Sequence, residues 1–428
     1  MKYFSVALWL TTCLPAFLFA QSVTFSELNF NSDSTTTSGD WVELVNSGSA
    51  TVDISGWFLK DEDDLNLFTI PANTSLAPGG RIVLVNDSAK FAGQHPFISN
   101  YTGEFSFSFG NDGDQVRLFD NLGTLQQFME YADSTPWYRA ADGTGRTLEK
   151  TDPSLDPNDP ASWFVGCMFG SPGFAFSPCN DPLVFSEINY NSDTLADSGD
   201  WCEIWNRSNG YINLNGWNFK DSKDDNIFYF PNNMNLAPDA RLVLAHDTAR
   251  FFDRHPQVTN VVGPYDFNLS NDGELIRIFG FDGKLRFSIV YNDKNGWPEG
   301  ADGDGYTLEL LDPLQNMNAP ADWFTGCPEG SPGYAYDPDC NAGIAVVQRG
   351  ELKLLNTLAD ETVILEIPKA LLTQNSFLRV TDMAGRLILS EPADKTEQVL
   401  DVSQFAGGIY VASVSGTTSI ITGKFFVK

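Results

Sequence analysis

The sequence predicts an all-β protein: two β-sandwiches in tandem, followed by a smaller C-terminal β-domain. Two observations carry this. One stretch occurs twice, GDWVELVNSGSATVDISGW at Gly39 to Trp57 and GDWCEIWNRSNGYINLNGW at Gly199 to Trp217, and the offset of 160 residues holds without a gap from Phe25/Phe185 to Pro172/Pro332. Apolar residues also fall in short alternating runs between turn clusters, with no long amphipathic helix, which is the pattern of a sandwich.

In chain order, Val23 to Phe30 reads as the first strand. Val23 and Phe25 share one face, but beyond Glu27 the apolar positions become Leu28 and Phe30. The same slip of phase occurs around Glu187, and a slip inside a strand predicts a β-bulge. Trp41–Val45 follows, then Val52–Ile54, Trp57–Leu59, Phe68–Ile70, Arg81–Val85, Phe105–Phe109, Gln115–Phe119 and Gln127–Tyr131. Turns such as Ala77-Pro78-Gly79-Gly80 separate them. Only Ser88–Gln94 and Thr248–Arg254 suggest a helical turn. Each repeat closes in an irregular arm containing Asp142-Gly143-Thr144-Gly145 or Asp302-Gly303-Asp304-Gly305, then Trp163-Phe164 or Trp323-Phe324. The link Asn180-Asp181-Pro182 is too short and too stiff to let the repeats move freely. Asn341-Ala342-Gly343 is equally short.

The combination Ser26-Glu27-Leu28-Asn29, Gly39 to Leu44, Ile54-Ser55-Gly56-Trp57, Asp61, Phe68 to Pro71 and Leu76-Ala77-Pro78-Gly79 resembles the lamin tail domain, as does Ser186 to Pro238 in the second copy. That resemblance implies an immunoglobulin-like β-sandwich in each repeat. The second copy has Asp239-Ala240 in place of Gly79-Gly80, which points to a different turn type there. From Ile344 the repeat stops. Leu378 to Arg386, Leu400-Asp401-Val402-Ser403, Gly407-Gly408-Ile409-Tyr410 and Lys424 to Lys428 resemble the C-terminal sorting domain of the type IX secretion system of Bacteroidetes, with Gly385, Arg386, Gly408, Tyr410, Lys424 and Lys428 carrying the motif. The implied partner is the type IX machinery, and the implied destination is the outer cell surface or the medium. The Pro-Asn-Pro that often opens such domains is absent from Val347 to Lys353.

Residues 1–20 fit an export route, with Lys2 first, an apolar run from Phe4 to Phe19, and a cut between Ala20 and Gln21. The run is short and interrupted by Thr11, Thr12 and Pro15, which argues against an anchor. No other stretch is long and apolar enough to span a bilayer, so an integral membrane protein is not expected. The chain thus divides into a signal at 1–20, repeats at 21–180 and 181–341, and a tail at 342–428. The net charge of −30, from 56 acidic against 26 basic residues, disfavours nucleic acid as a partner.

Five cysteines follow the signal. Cys167 with Cys179 and Cys327 with Cys340 occupy equivalent places around Gly-Ser-Pro-Gly, which predicts two local disulfides in an exported chain. Such a loop contributes about 3 kcal/mol in the chain-entropy model. Cys202 faces Val42 in the alignment of the repeats and reads as a buried, inert thiol.

Motifs for catalysis are sparse. His95 and His255 match between copies, but no serine or cysteine nucleophile motif, phosphate loop or His-Glu-x-x-His accompanies them. Glu27, Asp40 and Glu43, with Glu187, Asp200 and Glu203, supply paired carboxylates, for which capping of turns or of the bulge is the expected use. Calcium is the candidate cofactor, through Asp61, Asp63 and Asp64, their counterparts Asp221, Asp224 and Asp225, and separately Asp142, Asp302 and Asp304. None of these fits an EF-hand, and an ordinary turn role is the alternative for each. Trp41, Trp201, Trp205, Trp137 and Trp297 either stack on sugars or pack the arm onto the sandwich. The expectation is a non-enzymatic surface protein for adhesion, display or scaffolding, binding a glycan or a protein. The alternatives are an accessory of an extracellular phosphoesterase or nuclease system, and a calcium-dependent hydrolase.

Overall fold

The computed structural model describes residues 22–150, 152–312, 317–338, 340, 348–372, 376–382, 387–415 and 419–428. The signal at 1–20, the junction 341–343 and the sorting residues Gly385 and Arg386 lie outside the described residues. The chain forms two compact units, Met1–Gly333 and Tyr334–Lys428.

In the first repeat, a six-stranded sheet faces a four-stranded one. The larger sheet runs Phe164–Met168, Arg146–Glu149, Val23–Asn29, Trp41–Asn46, Arg81–Val85 and Tyr101–Gly103. The smaller runs Leu125–Ala132, Gly113–Phe119, Phe58–Lys60 and Phe68–Thr69. Phe25, Leu28, Val42 and Leu44 from one sheet meet Leu59, Val116, Leu118 and Met129 from the other in a single core. The second repeat copies this arrangement, with Phe185, Ile188, Cys202 and Ile204 against Phe219, Ile276, Ile278 and Ile289. The larger sheet is also covered on its outer face, where the Ser88–Gln94 helix sets Phe91 against Trp41, Val83 and Val85. Both helical turns begin at an aspartate cap: Asp87 accepts the Lys90 N–H, and Asp247 those of Ala249 and Arg250.

The bulge is present at both predicted places. Register shifts between Phe25 and Glu27 against Trp41–Asn46, and between Phe185 and Glu187 against Trp201–Asn206. Phe105–Phe109, expected as a strand, is not one. Its phenylalanines do alternate inward, but the Phe109 N–H is bound by the Asp40 carboxylate at 2.9 Å instead of a neighbouring strand. The arm, expected to be irregular, supplies two strands of the larger sheet. Its Arg146, Thr147, Glu149 and Lys150 are all buried, so polar residues occupy positions where a strand signal needs apolar ones. The Asp239 turn also differs from expectation: Asp239 keeps the left-handed conformation of Gly79, with φ of 59° against 72°.

The two repeats dock through the first repeat's arm. Arg146 is fully buried and donates to the Ser288 carbonyl (3.0 Å) and the Gly166 carbonyl (3.1 Å). Its guanidinium lies 5.2 Å from the Phe287 ring centroid. Met168 joins the second repeat's core, and the Ser288 hydroxyl donates to the Thr144 carbonyl at 2.6 Å.

The second unit is a smaller sandwich. Thr362–Glu366 and Glu397–Asp401 in a three-stranded sheet set Val363, Leu365 and Leu400 against Leu378, Val380, Ala412 and Val414 of a six-stranded sheet. Among the described residues no helix is long and apolar enough to cross a membrane.

Removing the Arg146 side chain strands the Ser288 and Gly166 carbonyls in a dry seam. Arg146→Ala is expected to destabilise the repeat pair by about 2–4 kcal/mol. In calorimetry the second repeat then melts separately from the first, and a single unshifted transition would refute the docking role.

Candidate functional site

The most unusual chemistry in each repeat is a row of three glutamates. Glu149, Glu27 and Glu43 stand directly opposite one another on three adjacent strands. Glu309, Glu187 and Glu203 repeat the row. Like charges in this relation repel. The bulge aims Glu27 outward, beside the other two, and all three are at most 2% exposed.

The Gly-Ser-Pro-Gly loop lies over the row. Glu27 Oε1 accepts the Ser171 N–H (2.9 Å) and the Thr147 hydroxyl (2.8 Å). Glu149 Oε2 accepts the Ser171 hydroxyl at 2.6 Å. Glu43 accepts the Gly173 N–H and the Ser26 hydroxyl, each at 2.6 Å, and pairs with Arg81. In the second repeat Ser331, Thr307, Gly333, Ser186 and Arg241 play these parts. Gly170, at φ +75°, has no room for a Cβ because Glu27 Oε1 occupies that space. Cys167 and Cys179 are joined in a disulfide across this loop, and Cys327 and Cys340 are disulfide-bonded too. Cys202 is free and buried.

Burial raises the whole row. Glu27 and Glu187 are held well above the carboxylate range, first by desolvation and then by the neighbouring glutamates. Burial pushes Glu149 and Glu203 up to about 7. Glu43 and Glu309 are raised for the same first reason, with Arg81 and the Ser331 hydroxyl respectively pulling them back. Glu27 Oε2 and Glu149 Oε1 are buried with no hydrogen-bond partner, as suits neutral carboxyls. Asp40 and Asp200, raised by burial to about 6, cap the Phe109 and Leu269 N–H groups.

The other candidate residues are dispersed. Asp61 accepts the Asp63 N–H (2.9 Å) and the Asn66 amide (2.7 Å), while Asp64 pairs with Arg117 at 3.0 Å. Asp63 accepts the Leu65 N–H at 2.9 Å. Asp221 and Asp224 repeat the Asp61 and Asp64 roles with Asn226 and Arg277, and Asp225 is exposed. Asp142 and Asp302 accept the amides of Asn31 and Asn191, and Asp304 is exposed. Among the described residues no group of three or more His, Cys, Asp or Glu is placed to hold a metal ion. His255 is buried against Trp201 and His95 half-buried against Trp41, and desolvation lowers both to about 4. Trp41 and Trp201 are fully buried and Trp137 and Trp297 nearly so, so these four present no open sugar platform. Trp205 is covered by Arg241 at 4.3 Å. In the tail, Tyr410 stacks on Phe425 at 5.7 Å and donates to the Ala406 carbonyl. Gly408 opens that strand, Lys424 is exposed, and Lys428 pairs with Asp360 at 3.1 Å.

Sequence reasoning missed Glu149, Arg81 and the serine of the loop as partners of Glu27 and Glu43. All three recur at the 160-residue offset, as Glu309, Arg241 and Ser331, and that recurrence was a usable signal.

Two immunoglobulin-like sandwiches sharing one buried carboxylate device, with a third β-sandwich, define a class of tandem extracellular module. The lamin tail domain model matches residues 20–133 and 177–293, more than half of the chain, which therefore belongs to that family. The secretion system C-terminal sorting domain matches residues 359–428, so the protein is exported to the cell surface by the type IX route. The first lamin tail match stops before Arg146, so that repeat's docking arm and loop lie beyond it. No curated protein sequence matches. Among solved structures, a DUF4876 family protein from Bacteroides thetaiotaomicron is 10% identical, with a TM-score of 0.24 and coverage of 69% of this chain and 95% of that one. The BSP domain of a biofilm associated protein is 10% identical, with a TM-score of 0.17 and coverage of 95% and 81%. PorZ, a surface component of the type IX system of Porphyromonas gingivalis, is 9% identical, with a TM-score of 0.16 and coverage of 95% and 51%.

The raised carboxyls fix a sign for pH dependence. Each has a folded value above its unfolded 4.5, so its stabilisation is complete below about 4.5 and is lost as pH rises through about 7 for Glu149. His95 runs the other way: its contribution is complete above 6.5 and is lost as pH falls toward about 4. Between pH 5 and pH 8, wild type should therefore lose more stability than Glu149→Gln, which keeps an acceptor for Ser171. Equal losses in urea unfolding would mean that Glu149 is already ionised when folded. Gly170→Ala should cost about 1–3 kcal/mol through its left-handed backbone and the displaced Glu27. An unchanged melting temperature would rule that out.

Proposed function

We propose that this protein is a non-catalytic binding module of the cell surface, serving adhesion or scaffolding. The observation that carries the reading is the closure of the glutamate rows. Acid–base groups with raised affinity for protons are present, yet backbone and side chains of the same repeat cover them. A glycosidase needs two carboxyls facing a cleft with substrate between them, and here the third partner is the protein's own loop. Large apolar side chains are instead exposed on loops, among them Leu65, Phe97 and Leu122 in the first repeat and Leu195, Tyr211 and Phe281 in the second. Loops held by a rigid sandwich are where binding surfaces usually lie.

The test pairs a hydrolase panel with an adhesion assay on cells displaying the full chain. Glu43→Gln with Glu203→Gln should leave adhesion unchanged, and neither protein should turn over phosphoester or glycoside substrates. Hydrolysis by wild type that vanishes in the double variant would replace this reading with an enzymatic one.

A further inference from the structure

The seam between the docked repeats holds a cavity of about 530 Å³. Both modules build its wall. Asp133, Trp137, Tyr138 and Arg139 come from the turn that opens the first repeat's arm, and Asn295 and Trp297 from the matching turn of the second. A cleft where two modules meet is a usual place for a ligand. The tryptophans occur in both repeats, but Pro298 and Glu299 stand where the first repeat has Tyr138 and Arg139. The sandwich therefore folds without Tyr138 and Arg139, and both of them line the cavity.

Polar groups on this wall are reachable and unused. Every other arginine of the repeat pair is held by a carboxylate or a backbone carbonyl. The Arg139 side chain is exposed and has no hydrogen-bond or ion partner among the described residues. Asp133 is half-buried, and its carboxylate pairs neither with Arg139 nor with any other described group. Trp163 and Trp323 give their indole N–H groups to the Pro157 and Met317 carbonyls, each at 2.8 Å. Those of Trp137 and Trp297 are bonded to nothing among the described residues, and neither is sealed from solvent. A guanidinium and an indole N–H only donate. In a protein of net charge −30, an unpaired cation beside two free donors selects an anion. Asp133 narrows the class further. It repels a bare inorganic anion but accepts from a ligand that also carries hydroxyls.

We propose that this cavity binds an acidic saccharide through a hexuronate residue. The sugar carboxylate meets the Arg139 guanidinium, the indole N–H groups donate to ring and hydroxyl oxygens, and a hydroxyl donates to Asp133. Half-buried Tyr138 gives the ring an apolar side. An uncharged sugar leaves Arg139 unpaired, and a simple carboxylate leaves Asp133 unpaired. The assignment rests on the reading of the chain as a binding protein and gives that reading a site and a ligand class.

The experiment titrates the purified full chain with trimers of galacturonate, glucuronate and mannuronate, with the uncharged trimers of galactose, glucose and mannose, and with acetate. Hydrogen exchange is read over residues 133–140 and 290–297. At least one uronate trimer should bind and protect both segments, and its uncharged counterpart should bind at least tenfold more weakly. Arg139→Glu puts the second repeat's own residue at an exposed position, so it should fold as wild type does and weaken binding at least tenfold. Lys284→Glu makes the same charge change at an exposed residue that does not line the cavity, and should leave binding unchanged. Binding that persists in Arg139→Glu, or that falls equally in Lys284→Glu, overturns the site and leaves the binding function standing. Uncharged trimers or acetate binding as tightly as the uronates overturn the ligand class. Failure of every uronate trimer to bind wild type overturns the proposal, while adhesion of displaying cells then judges the broader reading separately.

Discussion

Three carboxyls in one row of a β-sheet is an arrangement that electrostatics opposes, and much of each repeat is arranged around it. Glu149, Glu27 and Glu43 are direct cross-strand neighbours. In water such a row would splay apart. Here it is buried, which favours neutral carboxyls and turns repulsion into demand for hydrogen-bond donors. Ser171 and Gly173 supply backbone N–H groups, Ser26, Thr147 and Ser171 supply hydroxyls, and Arg81 supplies a cation beside Glu43. The loop that brings these donors must pass close over the sheet, so it needs Gly170 where Glu27 leaves no space for a side chain. Its disulfide then makes sense as a limit on how far that loop can depart in the unfolded chain.

The same row explains why the arm is part of the sheet. Glu149 reaches Ser171 only if Arg146–Glu149 pairs with Val23–Asn29, and the loop is positioned only if Phe164–Met168 pairs beyond it. Once the arm is fixed at the sheet edge, its remaining side chains face outward. In the first repeat these are Arg146 and Met168, which enter the second repeat's side. Rigid docking of the two modules is thus a consequence of how each one satisfies its buried acids.

Those features that follow from apolar alternation could be read from the sequence. The bulge announced itself because Phe25 and Leu28 both point inward with two residues between them, and the paired strands Trp41–Asn46 and Arg81–Val85 are short apolar-rich runs buried on both faces. Other features were hidden because polar atoms do the work of apolar ones. The strand containing Thr147 and Glu149 buries hydroxyl and carboxyl groups, so its pattern looks like loop. Phe105 to Phe109 misleads in the opposite sense: three phenylalanines alternate into the core, but Asp40 has taken the backbone N–H that a strand would give to its neighbour. The aspartates considered for calcium could not be resolved by type alone, since an Asp that binds Asn66 and one that binds a cation read alike until partners are seen.

Duplication separates the residues that build the fold from those that do something else. Positions kept in both repeats, such as Glu27/Glu187, Ser171/Ser331 and Trp41/Trp201, are those whose neighbours are fixed by the sandwich itself. Positions that differ cannot be required by that sandwich, because the other copy folds without them. Arg146 against Tyr306 and Met168 against Pro328 fall in this second group, and both lie in the seam. Asn218 against Phe58 and Tyr229 against Thr69 fall in it too. A Phe-to-Asn difference on a covered sheet face removes a ring stack and leaves an amide oxygen unpaired, two changes that both weaken the second repeat. The seam residues recover their difference as contact between the modules. At Asn218 the lost ring stack is made good within the second repeat itself, where Lys220 and Arg277 lie over the Phe279 ring at 5.0 and 5.4 Å.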